Sequence, residues 1–189
     1  MIALLSPTLR TRRARTELPL HQIIFISLWL ISSGYALARG GAPERIGGAT
    51  QFAAGVLTIV LSFGMRPAGG AYTSVEAGVA LTDFAAFGVI TAMALTSTRF
   101  WPIAQASMLG CGLFGHLAKP LGPDILPKAY YATVAIWGYP QVLLLIVATW
   151  RHRVRLRRYG IDYAWIWQLP RRYRNGWSVD ELARPISQN

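Results

Sequence analysis

Apolar residues in this chain gather into runs separated by short polar breaks. Five runs stand out, over positions 18–37, 49–65, 75–95, 102–118 and 130–150. Each has roughly the 17 to 25 residues that a helix needs to cross a hydrocarbon layer. Helix is the expected state, because a lone apolar strand would leave its backbone groups unpaired in lipid. The breaks at 39–45, 66–70, 96–101 and 119–128 carry the glycines, prolines and charges that mark turns. Short connections make successive helices antiparallel neighbours. The pattern therefore predicts an all-α, polytopic transmembrane bundle of five spans. Four spans are the alternative, with one of the shorter runs lying re-entrant or in the interface. Around the bundle (18–150) the pattern sets a basic N-terminal tail (1–17) and a basic, aromatic C-terminal tail (151–189).

Length alone would also suit one soluble domain, since 189 residues can bury a single core. The charges argue against it. Only 14% of residues are charged, against 53% hydrophobic. The basic ones cluster outside the apolar region, with Arg10, Arg12, Arg13 and Arg15 before it and nine more after position 150. Lysine and arginine mark cytoplasmic segments, so the C-terminal stretch beginning Arg151-His-Arg-Val-Arg predicts a cytoplasmic C-terminus. Five spans then place the N-terminus outside, against the weaker pull of its own arginines. A cleaved signal peptide, with Ala36-Leu-Ala38 as the cleavage site, fits less well: it leaves four spans and carries the arginine-rich tail outside. The single cysteine, Cys111, excludes an internal disulfide and a paired-cysteine metal site.

Polar residues inside the runs are the candidates for chemistry. Asp83 lies near the middle of the third run, where an ionised side chain costs several kcal/mol unless it is paired or lines a polar cavity. Counting inward from the hairpin between the third and fourth runs places His116 within about 3 Å of its depth, at 1.5 Å rise per residue. The same count sets Glu76 level with Lys119. Asp83 with His116, and Glu76 with Lys119, are thus expected to pair along one seam. Gln105, Gly112 and His116 share a helix face, and Ser107, Cys111 and Gly115 form a small-residue stripe beside it. Gln51, Gly55, Thr58 and Ser62 repeat the pattern in the second run. Gln51, Thr58, Gln105 and Gln141 are the expected polar face of the bundle. Pro140, beside Gly138, predicts a kink in the fifth helix.

An Asp and His in contact at mid-membrane depth can pass a proton between them. The same contact serves equally as a static hydrogen bond between two helices. Three histidines, His21, His116 and His152, are too scattered for a zinc site. A haem held between His21 and His116 is the one cofactor their placement allows, and no metal site or catalytic residue is assigned. Serine-hydrolase, zinc-protease and Walker signatures are absent, so nothing points to a hydrolase or ATPase. The basic tail does not require nucleic acid, because it directly follows a span. There Arg151, Arg153, Arg155, Arg157 and Arg158 meet anionic headgroups, and Trp165 and Trp167 are the rings expected at that level. Ser178-Val-Asp-Glu181 has the spacing of a capping box.

The sequence GGAPERIGG, then Arg99-Phe-Trp-Pro102, GHLAKPLGPDILPKAY, and a Tyr139-Pro140 segment ending Thr149-Trp-Arg-His-Arg153 resembles small polytopic inner-membrane proteins of alphaproteobacteria. The resemblance covers about positions 18 to 167 and implies a bacterial inner membrane. It carries no function and no assigned residues. The expected role is non-enzymatic, an accessory or assembly subunit packed against a larger membrane complex or a second copy of itself. The alternative is a small transporter or proton-conducting element built on Asp83 and His116.

Overall fold

A computed structural model describes residues 20–64, 77–121 and 136–169. They form five α-helices: α1 (Leu20–Arg39), α2 (Ala42–Gly64), α3 (Ala77–Thr96), α4 (Trp101–Leu121) and α5 (Gly138–Tyr159). A short 3-10 turn, Ile166–Gln168, follows. The fold is all-α, as the apolar pattern predicts. By length and composition, two helices can cross a membrane, over Gln22–Arg39 and Ala77–Thr96. The other three dilute their apolar runs with polar residues: Glu44 and Arg45 open α2, Gln105 and His116 lie within α4, and five arginines end α5.

Antiparallel order follows from the two short connections. Gly40 and Gly41 join α1 to α2, and residues 97–100 join α3 to α4. Helix α2 packs on α1, α3 and α5; α5 packs on α1 and α4. The ends of α1, α3 and α5 and the starts of α2 and α4 thereby meet at one end of the bundle, which carries the C-terminal arginines. The apolar core sits toward that end, where Ala36, Ile90, Met93, Trp101, Ala106, Leu145 and Ala148 cluster.

The buried stripes of α1 and α5 mix small and polar residues with a few large apolar ones. In α1 the stripe is Trp29, Ser32, Ser33 and Ala36, spaced i, i+3, i+4 and i+7. In α5 it is Val142, Leu145, Ala148, Thr149 and His152. Small residues let backbones approach. A Cβ on Gly48 would lie 2.9 Å from the Ala36 Cβ, and one on Gly55 would lie 2.5 Å from the Trp29 ring. Large apolar side chains point the other way. Ile31, Val60, Leu81, Phe84 and Phe114 are all exposed on the outer surface.

Two features differ from the pattern. Pro140 does not kink a helix interior, because α5 begins at Gly138 and the proline occupies its first turn. A missing N–H is harmless there, since first-turn N–H groups have no intrahelical acceptor. Helix α5 also runs through position 150 without a break and ends at Tyr159, where Gly160 adopts φ 70° and donates its N–H to the Leu156 carbonyl. That left-handed residue reverses the chain and sends 161–169 back over the bundle end. The expected capping box at Ser178 lies outside the described residues.

Candidate functional site

Three polar assemblies occupy the interior at different depths. The one nearest the α4 C-terminal half is the expected pair: His116 Nε2 lies 3.1 Å from Asp83 Oδ2. Asp83 and His116 stand about 20 Å from the arginine-bearing end, by counting 1.5 Å per residue along α3 and α4. Asp83 is anchored on a well-packed helix, whose Thr82 bonds back to the Gly78 carbonyl at 2.9 Å. His116 is buried and Asp83 partly so. Glu76 lies outside the described residues, as do the side chains of Lys119 and His21. The Glu76–Lys119 pair and the haem reading therefore lie there too, and His116 turns its Nε2, a usual axial ligand, toward Asp83.

About 10 Å from the arginine-bearing end, amides and hydroxyls link three helices. Gln105 Nε2 approaches Gln51 Oε1 at 3.5 Å, and Gln51 Nε2 donates to Ser32 Oγ at 2.8 Å. Ser32 in turn donates to the Trp29 carbonyl, and Trp29 Nε1 donates to the Gln51 carbonyl at 3.0 Å. Of the four residues expected on a polar face, Gln51 and Gln105 are thus brought together. Thr58 and Gln141 are half-buried and stand apart from this chain of bonds.

The third assembly lies at the end itself, and none of its members is among the expected pairs. Glu44, fully buried in the first turn of α2, accepts from Trp101 Nε1 at 3.2 Å and faces Arg99 Nε at 3.6 Å. The second distance is within ion-pair range and too long for a hydrogen bond. A carboxylate in this position is also favoured by the helix dipole. Arg99 comes from the α3–α4 connection and reaches onward to Asp162, with Nη1 2.6 Å from Oδ1. Asp162 further binds His152 Nδ1 at 2.6 Å and Arg155 Nε at 3.1 Å. One carboxylate thus clasps three cationic or ionisable groups.

Burial alone would raise the Asp162 carboxyl, yet hydrogen bonds from Arg99 and His152, the Arg99 charge and the Arg155 bond together hold it below its ordinary 3.8. The backbone completes the fastening. Thr98 donates its N–H to the Ala164 carbonyl at 3.1 Å and its hydroxyl to the Tyr163 carbonyl at 2.7 Å. Gly41 is needed where it stands: a Cβ there would lie 2.8 Å from His152 Cε1 and 3.0 Å from Glu44 Oε2.

The residues expected at a lipid interface divide. Arg151, Arg157 and Arg158 are exposed, and Trp167 stacks on Trp165 at a 5.2 Å centroid separation. Arg155 instead spends its Nε on Asp162, and Trp165 packs against the bundle core. The chain reversal at Gly160 brings Asp162 to Arg155 and Trp165 to the bundle.

Chemically, these assemblies join helices; each pairs donors and acceptors from different elements. What the fold and its interior define is a class, a helical bundle with buried polar links between its helices beside a small apolar core, and with many large apolar side chains on its outside. No protein-family model, curated protein or solved structure matches the chain.

Proposed function

We propose that this chain is an integral protein of a bacterial inner membrane, a five-span bundle with its arginine-bearing C-terminal end in the cytoplasm. The observation that carries this reading is the inversion of burial. Phe84 and Phe114 project outward at 64% and 69% exposure while Gln105, Ser32 and Glu44 are buried. A soluble bundle would have the opposite arrangement, because exposed apolar surface is favourable only against lipid or a partner. Glycine contacts between α1 and α2 support the same reading.

Within the membrane the role is non-enzymatic, that of an accessory or assembly subunit. Interior polar groups bond across helices at Asp83–His116, Gln51–Ser32 and Arg99–Asp162, which supports a rigid body that presents surfaces. The runner-up, a proton-conducting element, is favoured by the 3.1 Å contact between His116 and Asp83. Both are tested on the full chain purified in a mild detergent. A subunit migrates on a native gel well above its own 20.8 kDa plus micelle and gives no proton flux in liposomes. A chain that runs alone and acidifies liposomes would overturn the subunit reading in favour of the runner-up.

A further inference from the structure

The outer face of α5 beyond the apolar core carries a groove of about 280 Å³ lined by Trp150, Arg151, Val154, Arg155, Arg158 and Tyr159. We propose that this groove binds the phosphate of an anionic phospholipid in the cytoplasmic leaflet, a site that rests on the membrane reading above and adds a specific ligand to it.

Spacing puts the three arginines together. Positions 151, 155 and 158 stand at i, i+4 and i+7, on one face of the helix, whereas Arg153 and Arg157 fall on the opposite side. Arg151 and Arg158 are exposed and have no ion-pair partner among the described residues. Arg155 is held by Asp162 through Nε at 3.1 Å, which fixes its guanidinium at the groove wall before any ligand arrives. Less side-chain freedom then remains to be lost on binding. A phosphate accepts from several guanidiniums at once, and such charge-assisted bonds are the strong ones.

The apolar lining identifies the source of the phosphate as a lipid. Trp150 and Tyr159 bracket the groove with exposed rings, the residue types that sit at headgroup level, and Val154 supplies an aliphatic floor. A soluble phosphate has no use for that lining; a glycerophospholipid sets its glycerol and first methylenes there. Charge complementarity at this end is one-sided. Of the two carboxylates nearby, Glu44 faces Arg99 from inside and Asp162 holds both Arg99 and Arg155, so Arg151 and Arg158 are the groove arginines left positive.

The experiment incubates the full chain with mixed micelles of equal phosphatidylglycerol and phosphatidylcholine and counts retained lipids by native mass spectrometry. Wild type is expected to retain phosphatidylglycerol preferentially. Arg151→Gln with Arg158→Gln is expected to lower that retention about 25-fold, from about fivefold per arginine near a membrane surface. Arg153→Gln with Arg157→Gln, equal in charge change, is expected to leave it within about twofold, because those residues miss the groove. The proposal is overturned if the first variant retains phosphatidylglycerol like wild type, if the second loses as much as the first, or if wild type shows no preference. It is also overturned if glycerol phosphate alone displaces the lipid at equal concentration. Extraction of cell membranes at alkaline pH keeps the two readings apart. A chain that stays in the pellet but shows no lipid preference loses this site only, whereas one released to the supernatant loses the membrane reading with it.

Discussion

Asp162→Asn removes a charge from the point where the returning segment, the α3–α4 connection and α5 meet, and its effect can be worked from the geometry. The carboxylate holds Arg99 at 2.6 Å, His152 at 2.6 Å and Arg155 at 3.1 Å, with its own side chain 7% exposed. Breaking a buried pair leaves uncompensated charge and costs about 3–5 kcal/mol. Asparagine keeps the shape and one acceptor, and Arg155 at 31% exposure shows that water is near, so about 3 kcal/mol is the expected loss. What remains to hold the returning segment is two bonds from Thr98, at about 1 kcal/mol each, and the packing of Trp165.

The segment should therefore open locally before the bundle unfolds. The assay is hydrogen exchange of the Thr98 amide, which is bonded to Ala164 across the lock. Its exchange should accelerate roughly a hundredfold, while amides in the middle of α3 stay unchanged. Acid should act in the same sense. The folded carboxyl titrates below 3.8, so its contribution is fully present above that value and is lost only as pH falls through the lower folded one. Protection at Thr98, corrected for intrinsic exchange, should be flat above about pH 4 and fall beneath it in wild type, with no such step in Asp162→Asn. Thr98 protection within threefold of wild type in the variant would refute the reasoning, because it would mean the three ion pairs do not hold the segment.

Four further outcomes are expected. Gly55→Ala places a Cβ 2.5 Å from the Trp29 ring, which stacks on Phe52 and donates to Gln51; thermal unfolding should show a loss of about 1–3 kcal/mol, and an unchanged midpoint would mean α1 and α2 are not in contact there. Gly160→Ala meets open space but forces φ 70° on a residue with a Cβ, so denaturant titration should read about 1 kcal/mol of destabilisation. Reporter fusions at the two termini should fall on opposite sides of the membrane with the C-terminal one cytoplasmic, and reporters on the same side would remove the five-span arrangement. Asp83→Asn should leave liposome proton permeability unchanged and the chain folded, since asparagine can still bond His116; a flux present in wild type and lost in the variant would favour the proton-conducting reading.

Much of this bundle is legible in the sequence, and the limits of that legibility have physical causes. The all-α class is legible because helix length follows from local composition, and each of the five helices among the described residues overlaps one of the apolar runs. Asp83 and His116 meet because depth along two antiparallel helices is a matter of counting, and their connection is only four residues long. The Glu44–Arg99–Asp162 lock is harder to read. Glu44 and Arg99 sit in the breaks 39–45 and 96–101, whose glycines, prolines and charges mark turns, and Asp162 lies in the basic tail. Yet depth counting extends to them. Glu44 opens α2, Arg99 precedes α4 and Asp162 follows α5, all at one level, and two of the chain's few carboxylates fall among its arginines there. What no count supplies is the reversal at Gly160, a left-handed residue that aims Asp162 back toward Arg99 rather than onward into the tail.

The three polar assemblies follow an order that the membrane reading explains. Full charges are gathered at the arginine-bearing end, where headgroups and water keep the cost of a buried ion low and a lost partner can be replaced by solvent. Neutral amides and hydroxyls fasten the helices about 10 Å further in, where a hydrogen bond between uncharged groups carries no ionic desolvation cost. Asp83 breaks the order, since a carboxylate lies about 20 Å from that end, 3.1 Å from an imidazole. A chain that needed only fastening at that depth could use a glutamine, as it does at Gln51 and Gln105. The use of an ionisable pair there is the strongest argument for the proton-conducting alternative. It is also why liposome flux with Asp83→Asn decides between a scaffold and a conductor more sharply than any partner found on a gel.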